Sequence, residues 1–147
     1  MSSTSGKTDA EPNSGSYVLV LRLRRNVTIR VGAFGILEFP EGYYTYTGSA
    51  MKNLRQRVAR HLRRDKKIRW HIDYLADSED CEIVDVMVFP AARREECLRN
   101  QAIEKKLRAR PIAKGFGSSD CHDCSSHLLY LGDSPDNEAL RKAADSI

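Results

Sequence analysis

The stretch from Gly42 to Arg57, GYYTYTGSAMKNLRQR, constrains the fold more than any other part of the chain. Residues 43–47 are tyrosines and threonines, which favour a half-buried β-strand. From Ala50 onward the apolar positions repeat every three or four residues, as on one face of a helix. These positions are Met51, Leu54, Val58 and Leu62. A Gly-Ser turn separates the two patterns, so the sequence predicts a strand, a turn and an amphipathic helix in succession.

The other segments also alternate between strand-like and helix-like patterns. Strands are predicted at residues 17–23, 27–31, 36–39, 82–89 and 127–131, and helices at residues 68–75, 94–108 and 135–146. Ser134 or Asp136 is expected to cap the last helix. The fold class is therefore α+β, with a small, mainly antiparallel sheet flanked by three or four helices.

Residues 1–15 are mostly serine, threonine, glycine, proline, asparagine and charged residues. Such a composition buries too little apolar surface to offset the entropy of ordering the chain. We expect a disordered tail at 1–15 and a single domain at 16–147. No apolar run approaches the roughly 20 residues of a membrane span, and the N-terminus lacks a signal-like apolar core. We therefore expect a cytoplasmic protein that does not enter membranes.

The segment from Met51 to Trp70 holds nine basic residues and one acidic residue, Asp65. Such a local positive field indicates a polyanionic partner, with nucleic acid the first candidate and an acidic membrane surface the second. The alternative is a solvated helix face with no partner. The candidate nucleic-acid contacts are Gly48, Ser49, Lys52, Arg55, Arg60, Arg64, Lys66 and Lys67. The sequence identifies no protein partner.

Hydrolysis of a phosphodiester needs a group that activates water and cations that neutralise the developing charge. Tyr17 and Tyr46 can place two phenols on one sheet face, and Arg57 and His61 lie one turn apart on the first helix. Gly48 is expected to allow a tight turn, so that a phosphate can approach the helix N-terminus. The third helix offers carboxylates for a metal ion, at Glu95, Glu96 and Glu104.

These residues resemble a known family. The order GSY at residues 15–17, YTG at residues 46–48, Arg57 and His61 is similar to the GIY-YIG nuclease superfamily. The longer pattern YTGSA, RQRVARHLR, RWHIDYL, EC, GFGSSDC and SHL resembles a small subfamily that also occurs fused to endonuclease III-type repair enzymes. The resemblance extends from Ser16 to Leu131.

The resemblance implies a three-stranded antiparallel core sheet and DNA cleavage that depends on Mg²⁺ or Mn²⁺, with branched or damaged DNA and a role in repair as the expected setting. It implies that Tyr17 or Tyr46 helps to activate water, that Arg57 holds the phosphate, and that His61 assists proton transfer. Glu96 is favoured as the Mg²⁺-like ligand over Glu104. The chain departs from the family in reading GSY for GIY. Its 28 residues between the motif tyrosines require an inserted hairpin.

A C-x-x-C-x-x-H pattern runs from Cys121 through Cys124 to His127. Two thiolates and an imidazole at this spacing can bind a structural zinc ion, with Cys97 as a fourth ligand. A redox pair, or reduced cysteines that bind no metal, are the alternatives.

Two other functions compete with a nuclease. One is a non-catalytic nucleic-acid-binding module with the same fold, and the other is a zinc-stabilised protein-interaction domain. Nearby, His71 and Asp73 are interpreted as a buried hydrogen-bonded pair that locks the second helix, and Trp70 as either a core residue or a half-buried anchor.

Overall fold

The structure, a computed structural model, describes residues 12–64, 66–117, 124–133 and 135–147. The strands are β1 (Gly15–Leu23), β2 (Val27–Arg30), β3 (Ile36–Phe39), β4 (Gly42–Ala50), β5 (Cys81–Pro90), β6 (Arg110–Pro111) and β7 (Leu128–Gly132). The helices are α1 (Leu54–Leu62), α2 (His71–Ala76), α3 (Glu96–Leu107) and α4 (Asn137–Ala144). Asp136 caps α4 by accepting the backbone N–H of Ala139. It is one of the two residues predicted as the cap of this helix.

Five strands form one antiparallel sheet in the order β5-β1-β4-β7-β6, which confirms the predicted fold class. The three long strands β5, β1 and β4 are neighbours, and β7 and β6 extend the sheet. The strands β2 and β3 form a separate hairpin between β1 and β4 in the chain. This hairpin is the predicted insertion, and it explains the long separation of Tyr17 from Tyr46.

The register of β1 against β4 sets which side chains share a face. Tyr17 lies opposite Gly48, and Leu19 lies opposite Tyr46. Because side chains alternate along a strand, Tyr17 and Tyr46 lie on the same face of the sheet. This arrangement agrees with the prediction for the two phenols.

Helices cover both faces of the sheet. On the face that carries Tyr17, β1 and β4 pack against α1, α2 and the β2–β3 hairpin around Leu19, Leu54 and Ile72. On the opposite face, Val18 of β1 packs with residues of α3 and α4, including Leu140. The sheet therefore separates two small apolar cores, and any site at its end can draw residues from both.

The first helix differs from the prediction in its boundaries and its buried face. Strand β4 continues through Ala50, and α1 begins only at Leu54. His61 is buried in place of Leu62, whose exposed fraction is 51%. The hydrophobic repeat does not predict a buried His61, because histidine is a polar residue. A neutral imidazole that forms a hydrogen bond can nevertheless be buried.

The described part of the predicted tail, residues 12–15, contacts the domain. The backbone carbonyl of Asn13 accepts the N–H of Leu54 at 3.1 Å, and its side-chain oxygen accepts the N–H of Arg55 at 2.9 Å. Asn13 thus satisfies two of the donors that a helix N-terminus leaves unpaired. Residues 1–11 of the predicted tail lie outside the described residues.

Within the described ranges, none of the helices has the length and apolar character to cross a bilayer.

Candidate active site at one end of the central strands

Tyr17 and His61 form the buried centre of the site. The Tyr17 hydroxyl lies 2.8 Å from Nε2 of His61, and both side chains are at most 3% exposed. Burial lowers the pKa of His61 to about 4, and burial raises the pKa of Tyr17 well above its usual value. At neutral pH both groups are therefore uncharged and share one hydrogen bond. Such a pair can pass a proton along that bond.

Tyr46 lies next to this pair on the same sheet face. Its ring centroid is 6.3 Å from that of His61, and burial raises the pKa of its phenol. The loop residue Gly117 closes over it, since a Cβ on Gly117 would lie 2.9 Å from the Tyr46 hydroxyl. The structure thus brings together three of the predicted catalytic residues.

Gly48 has a different role from the predicted one. It lies inside β4 instead of in a turn, and a Cβ at this position would overlap the hydroxyl of Tyr17. Gly48 and Ser49 are buried, and the first N–H groups of α1 already bind Asn13. The predicted approach of a phosphate past Gly48 to the helix N-terminus is therefore closed, and the glycine makes room for a phenol.

Arg57 extends from α1 over the end of β4. Its Nη1 donates to the backbone carbonyl of Ser49 at 2.7 Å, and its guanidinium carbon lies 5.0 Å from the centroid of the Trp70 ring. Trp70 is half-buried, one of its two predicted placements, and lies 5.3 Å from the His61 ring, centroid to centroid. Two contacts therefore orient Arg57 toward the end of the sheet.

Ser49 also connects this group to α3. Its hydroxyl donates to Glu96 Oε1 at 2.7 Å, and Arg94 Nη1 lies 3.4 Å from the same carboxylate oxygen. Glu104 lies eight residues further along α3, or about 12 Å at the rise of an α-helix. Glu96, and not Glu104, is therefore the carboxylate beside Ser49 and Arg57.

The basic residues near α1 divide into two groups. Arg60 forms an ion pair with Asp73 at 3.0 Å, Arg64 donates to the backbone carbonyl of Cys81 at 3.0 Å, and Lys66 donates to that of His61 at 3.0 Å. These three fix the end of α1 to its surroundings. The other predicted contacts, Lys52, Arg55 and Lys67, have exposed side chains. The role of this second group as nucleic-acid contacts stays a prediction.

His71 and Asp73 do not bond to each other, which corrects the predicted pair. Asp73 accepts the backbone N–H groups of Arg69 and Trp70, both at 2.9 Å, and so caps its own helix. His71 Nδ1 accepts the N–H of Gly117 at 3.0 Å. Side chains two residues apart on a helix point in different directions. Asp73 therefore bonds to the start of its own helix, whereas His71 bonds to the loop at Gly117.

A second cluster lies directly behind Glu96. The ligand atoms of Cys97, Cys124 and His127 all lie within 4.8 Å of one another. Cys97 is in the disulfide-bonded form, and Cys124 Sγ lies 3.7 Å from the backbone carbonyl oxygen of Cys97. Cys121, the other predicted ligand, lies outside the described residues.

Sequence reasoning missed two contributors to the site. Arg94 precedes α3 and contacts both Ser49 and Glu96. Gly117 holds His71 and covers Tyr46. The signal for Gly117 was its place in the GFG motif, whereas nothing distinguished Arg94 from the other arginines of the chain.

Together these residues define a small α+β domain with two phenols, an imidazole, a guanidinium and a carboxylate at one end of its central strands. The chain belongs to the family described as "Domain of unknown function DUF123", which matches residues 16–147. No curated protein and no solved structure matches the chain.

Proposed function

We propose that the protein is a metal-dependent endonuclease of GIY-YIG type that hydrolyses DNA phosphodiester bonds. The observation that carries the proposal is the juxtaposition of the Tyr17–His61 pair with Arg57, Ser49 and Glu96. Hydrogen bonds of 2.7–2.8 Å hold these residues in two adjacent sets. Proton transfer, phosphate binding and metal binding thus have candidate groups side by side.

The proton relay uses Tyr17 and His61. The Tyr17 oxygen takes a proton from the attacking water while its own proton moves to Nε2 of His61. The water oxygen bonds to phosphorus as the bond to the leaving oxygen breaks, and the proton on His61 then returns to the Tyr17 oxygen, which releases a proton through solvent to the leaving oxygen. The raised pKa of Tyr17 favours this concerted exchange over a free phenolate.

In the proposed reaction, Arg57 stabilises the negative charge on the phosphate and Glu96 binds the metal ion. Arg57 would donate to a non-bridging phosphate oxygen, where negative charge grows in the transition state. Mg²⁺ and Mn²⁺ prefer oxygen ligands, and Mg²⁺ commonly uses one or two carboxylates together with water and substrate phosphates. Glu96, with a side chain 20% exposed, fits that requirement. A bound ion would supply Lewis-acid stabilisation of the phosphate.

Purified protein incubated with duplex, single-stranded and branched DNA tests the proposal. We expect cleavage with Mg²⁺ or Mn²⁺ and none with a chelator. Arg57→Ala and Glu96→Gln should each lower the cleavage rate by about 10²-fold or more while binding persists, by analogy with loss of one transition-state donor.

Glu104→Gln is the matched control, because it changes the other carboxylate of the same helix and should leave cleavage intact. Unchanged cleavage in both Arg57→Ala and Glu96→Gln would mean that a different site or a contaminant is active. DNA binding without cleavage under any metal condition would instead identify the non-catalytic module considered from the sequence.

A further inference from the structure

The cluster behind Glu96 brings together three side chains from two separate parts of the chain. Cys97 lies in the first turn of α3, whereas Cys124 and His127 lie in the segment that leads into β7. Cys124 is 8% exposed and His127 is 2% exposed. Thiolates and imidazole are the donors that zinc prefers, and a buried set of them excludes most competing oxygen ligands.

The distances suit one tetrahedral ion. Bond lengths of about 2.3 Å for zinc to sulfur and about 2.0 Å for zinc to nitrogen place a ligand sulfur and nitrogen about 3.5 Å apart. Cys97 Sγ lies 3.6 Å from His127 Nε2. The ligand atoms are at most 4.8 Å apart, so closure on an ion needs a shift of about 1 Å.

The other nitrogen of His127 points toward the proposed nuclease carboxylate. Nδ1 is buried, makes no hydrogen bond within the described part of the chain, and lies 3.8 Å from Glu96 Oε2. Histidines that bind zinc through one nitrogen commonly donate the other N–H to a carboxylate, which fixes the tautomer of the ring.

We propose that Cys97, Cys124 and His127 bind a zinc ion, and that His127 links this ion to Glu96. The site binds zinc in the reduced protein, since Cys97 is disulfide-bonded in this structure. A phosphine reductant with water converts that disulfide to two thiols and is itself oxidised to the phosphine oxide. Zinc then displaces the thiol protons. Three protein ligands leave the fourth tetrahedral position to water.

Zinc at this site would join the start of α3 to the segment before β7. It would thereby hold Glu96 against Ser49, which is the position that the proposed nuclease needs. The zinc site itself stands on the cluster geometry and does not require that DNA is cleaved. Only its link to catalysis rests on the proposed function.

Elemental analysis of the full chain, purified with a phosphine reductant and without chelator, tests the site. We expect about one zinc per chain. Cys124→Ser and His127→Asn should lose this zinc, whereas Cys81→Ala should keep it, because Cys81 is a free buried cysteine at the opposite end of β5. Glu96→Gln should keep the stoichiometry and weaken zinc affinity by about 10-fold or more, as for other carboxylates behind a histidine ligand.

Zinc-free reduced protein, or equal zinc in Cys124→Ser, His127→Asn and the parent chain, would overturn the proposal. If circular dichroism shows that a variant is misfolded, zinc binding is measured instead on the parent protein, by competition for zinc with a chromophoric chelator. Zinc removal should lower the melting temperature, and an unchanged melting temperature would contradict a structural site. These measurements contain no DNA, so their failure is distinguishable from failure of the nuclease proposal.

Discussion

Gly48 shows how one residue can be required by a neighbour on another strand. A glycine inside a strand weakens it, because it packs nothing and restricts the backbone least. Here the missing side chain is the space that the Tyr17 ring occupies, so the phenol can reach His61. The cost of the glycine in β4 is offset by the buried hydrogen bond between the Tyr17 hydroxyl and His61.

Gly48→Ala should destabilise the fold by about 1–3 kcal/mol, the usual range for overpacking a core. Urea unfolding at neutral pH measures the change. Thr47→Val, at the adjacent position, is the control. The hydroxyl of Thr47 is buried and makes no hydrogen bond to the described residues, so its removal should leave stability equal or slightly higher. Equal stability of Gly48→Ala and the parent chain would show that Tyr17 can move without loss.

His61 gives the stability of the fold a specific pH dependence. Its folded pKa of about 4 lies below the 6.5 of an exposed histidine, so between these values the unfolded chain binds a proton that the folded chain does not. Stability is therefore full above pH 6.5 and falls as the pH drops toward 4. At about 1.36 kcal/mol per pH unit, we expect a loss of roughly 2–3 kcal/mol between pH 7 and pH 4.5.

His61→Gln isolates this contribution, because burial lowers the pKa of His71 and His127 as well. The variant should be less stable than the parent at pH 7 and should lose less stability on acidification. Urea midpoints measured at several pH values make the comparison. Parallel pH profiles for the two proteins would rule out a buried neutral His61.

At the scale of elements, local pattern predicted most of the fold. Alternation in β1 and β4, the hairpin between them and the helix after Ala50 all follow from short-range sequence signals. The end of β4 at Ala50 was not predicted, because a glycine such as Gly48 usually indicates a turn. Only its pairing with Tyr17 across the sheet shows why a glycine lies inside the strand. The exposed Leu62 and buried His61 were missed for the same reason, since tertiary contacts decide which face of α1 is covered.

Some residues of the candidate site could be predicted from the sequence, and others are evident only in the structure. Tyr17, Tyr46, Arg57 and His61 could be chosen from motif spacing. The sequence favours Glu96 over Glu104 only through the family resemblance, and the hydrogen bond from Ser49 to Glu96 is encoded by no sequence pattern. The structural use of Arg60 and Arg64 was equally hidden, because a charge run does not reveal which side chains bind backbone carbonyls or a buried carboxylate.

The junction of α1 with α2 depends on Asp73, which is fully buried and accepts two hydrogen bonds from Arg60. Burial opposes its charge, but Arg60 and two backbone N–H groups more than compensate and hold its pKa below the usual range. Asp73→Ala should therefore destabilise the protein by about 2–4 kcal/mol, less than for a fully buried pair because Arg60 can reach water. Asp77→Ala, an exposed position at the end of α2, should change stability little in the same thermal unfolding assay.

At the scale of the whole molecule, the sheet separates two halves that the site joins. Tyr17, Tyr46 and His61 lie on the α1 side of the sheet, whereas Glu96 and Cys97 belong to α3 on the other side. Ser49 connects them, with its carbonyl bound to Arg57 and its hydroxyl bound to Glu96. Catalysis at this site would therefore need both halves packed on the sheet, and neither half alone carries the full set of groups.

The exposed bases on the α1 side should determine the salt dependence of DNA binding. Each phosphate contact by Lys52, Arg55 or Lys67 releases condensed counterions, so affinity falls as salt rises. Replacing all three with alanine should reduce the slope of log affinity against log salt by about three. Fluorescence anisotropy with labelled DNA at several salt concentrations, with chelator present to prevent cleavage, measures that slope. Lys105→Ala with Lys106→Ala is the control, since these exposed lysines lie near the far end of α3. An equal change of slope in both variants would mean that DNA contacts the protein through its overall charge and not through the surface beside Arg57.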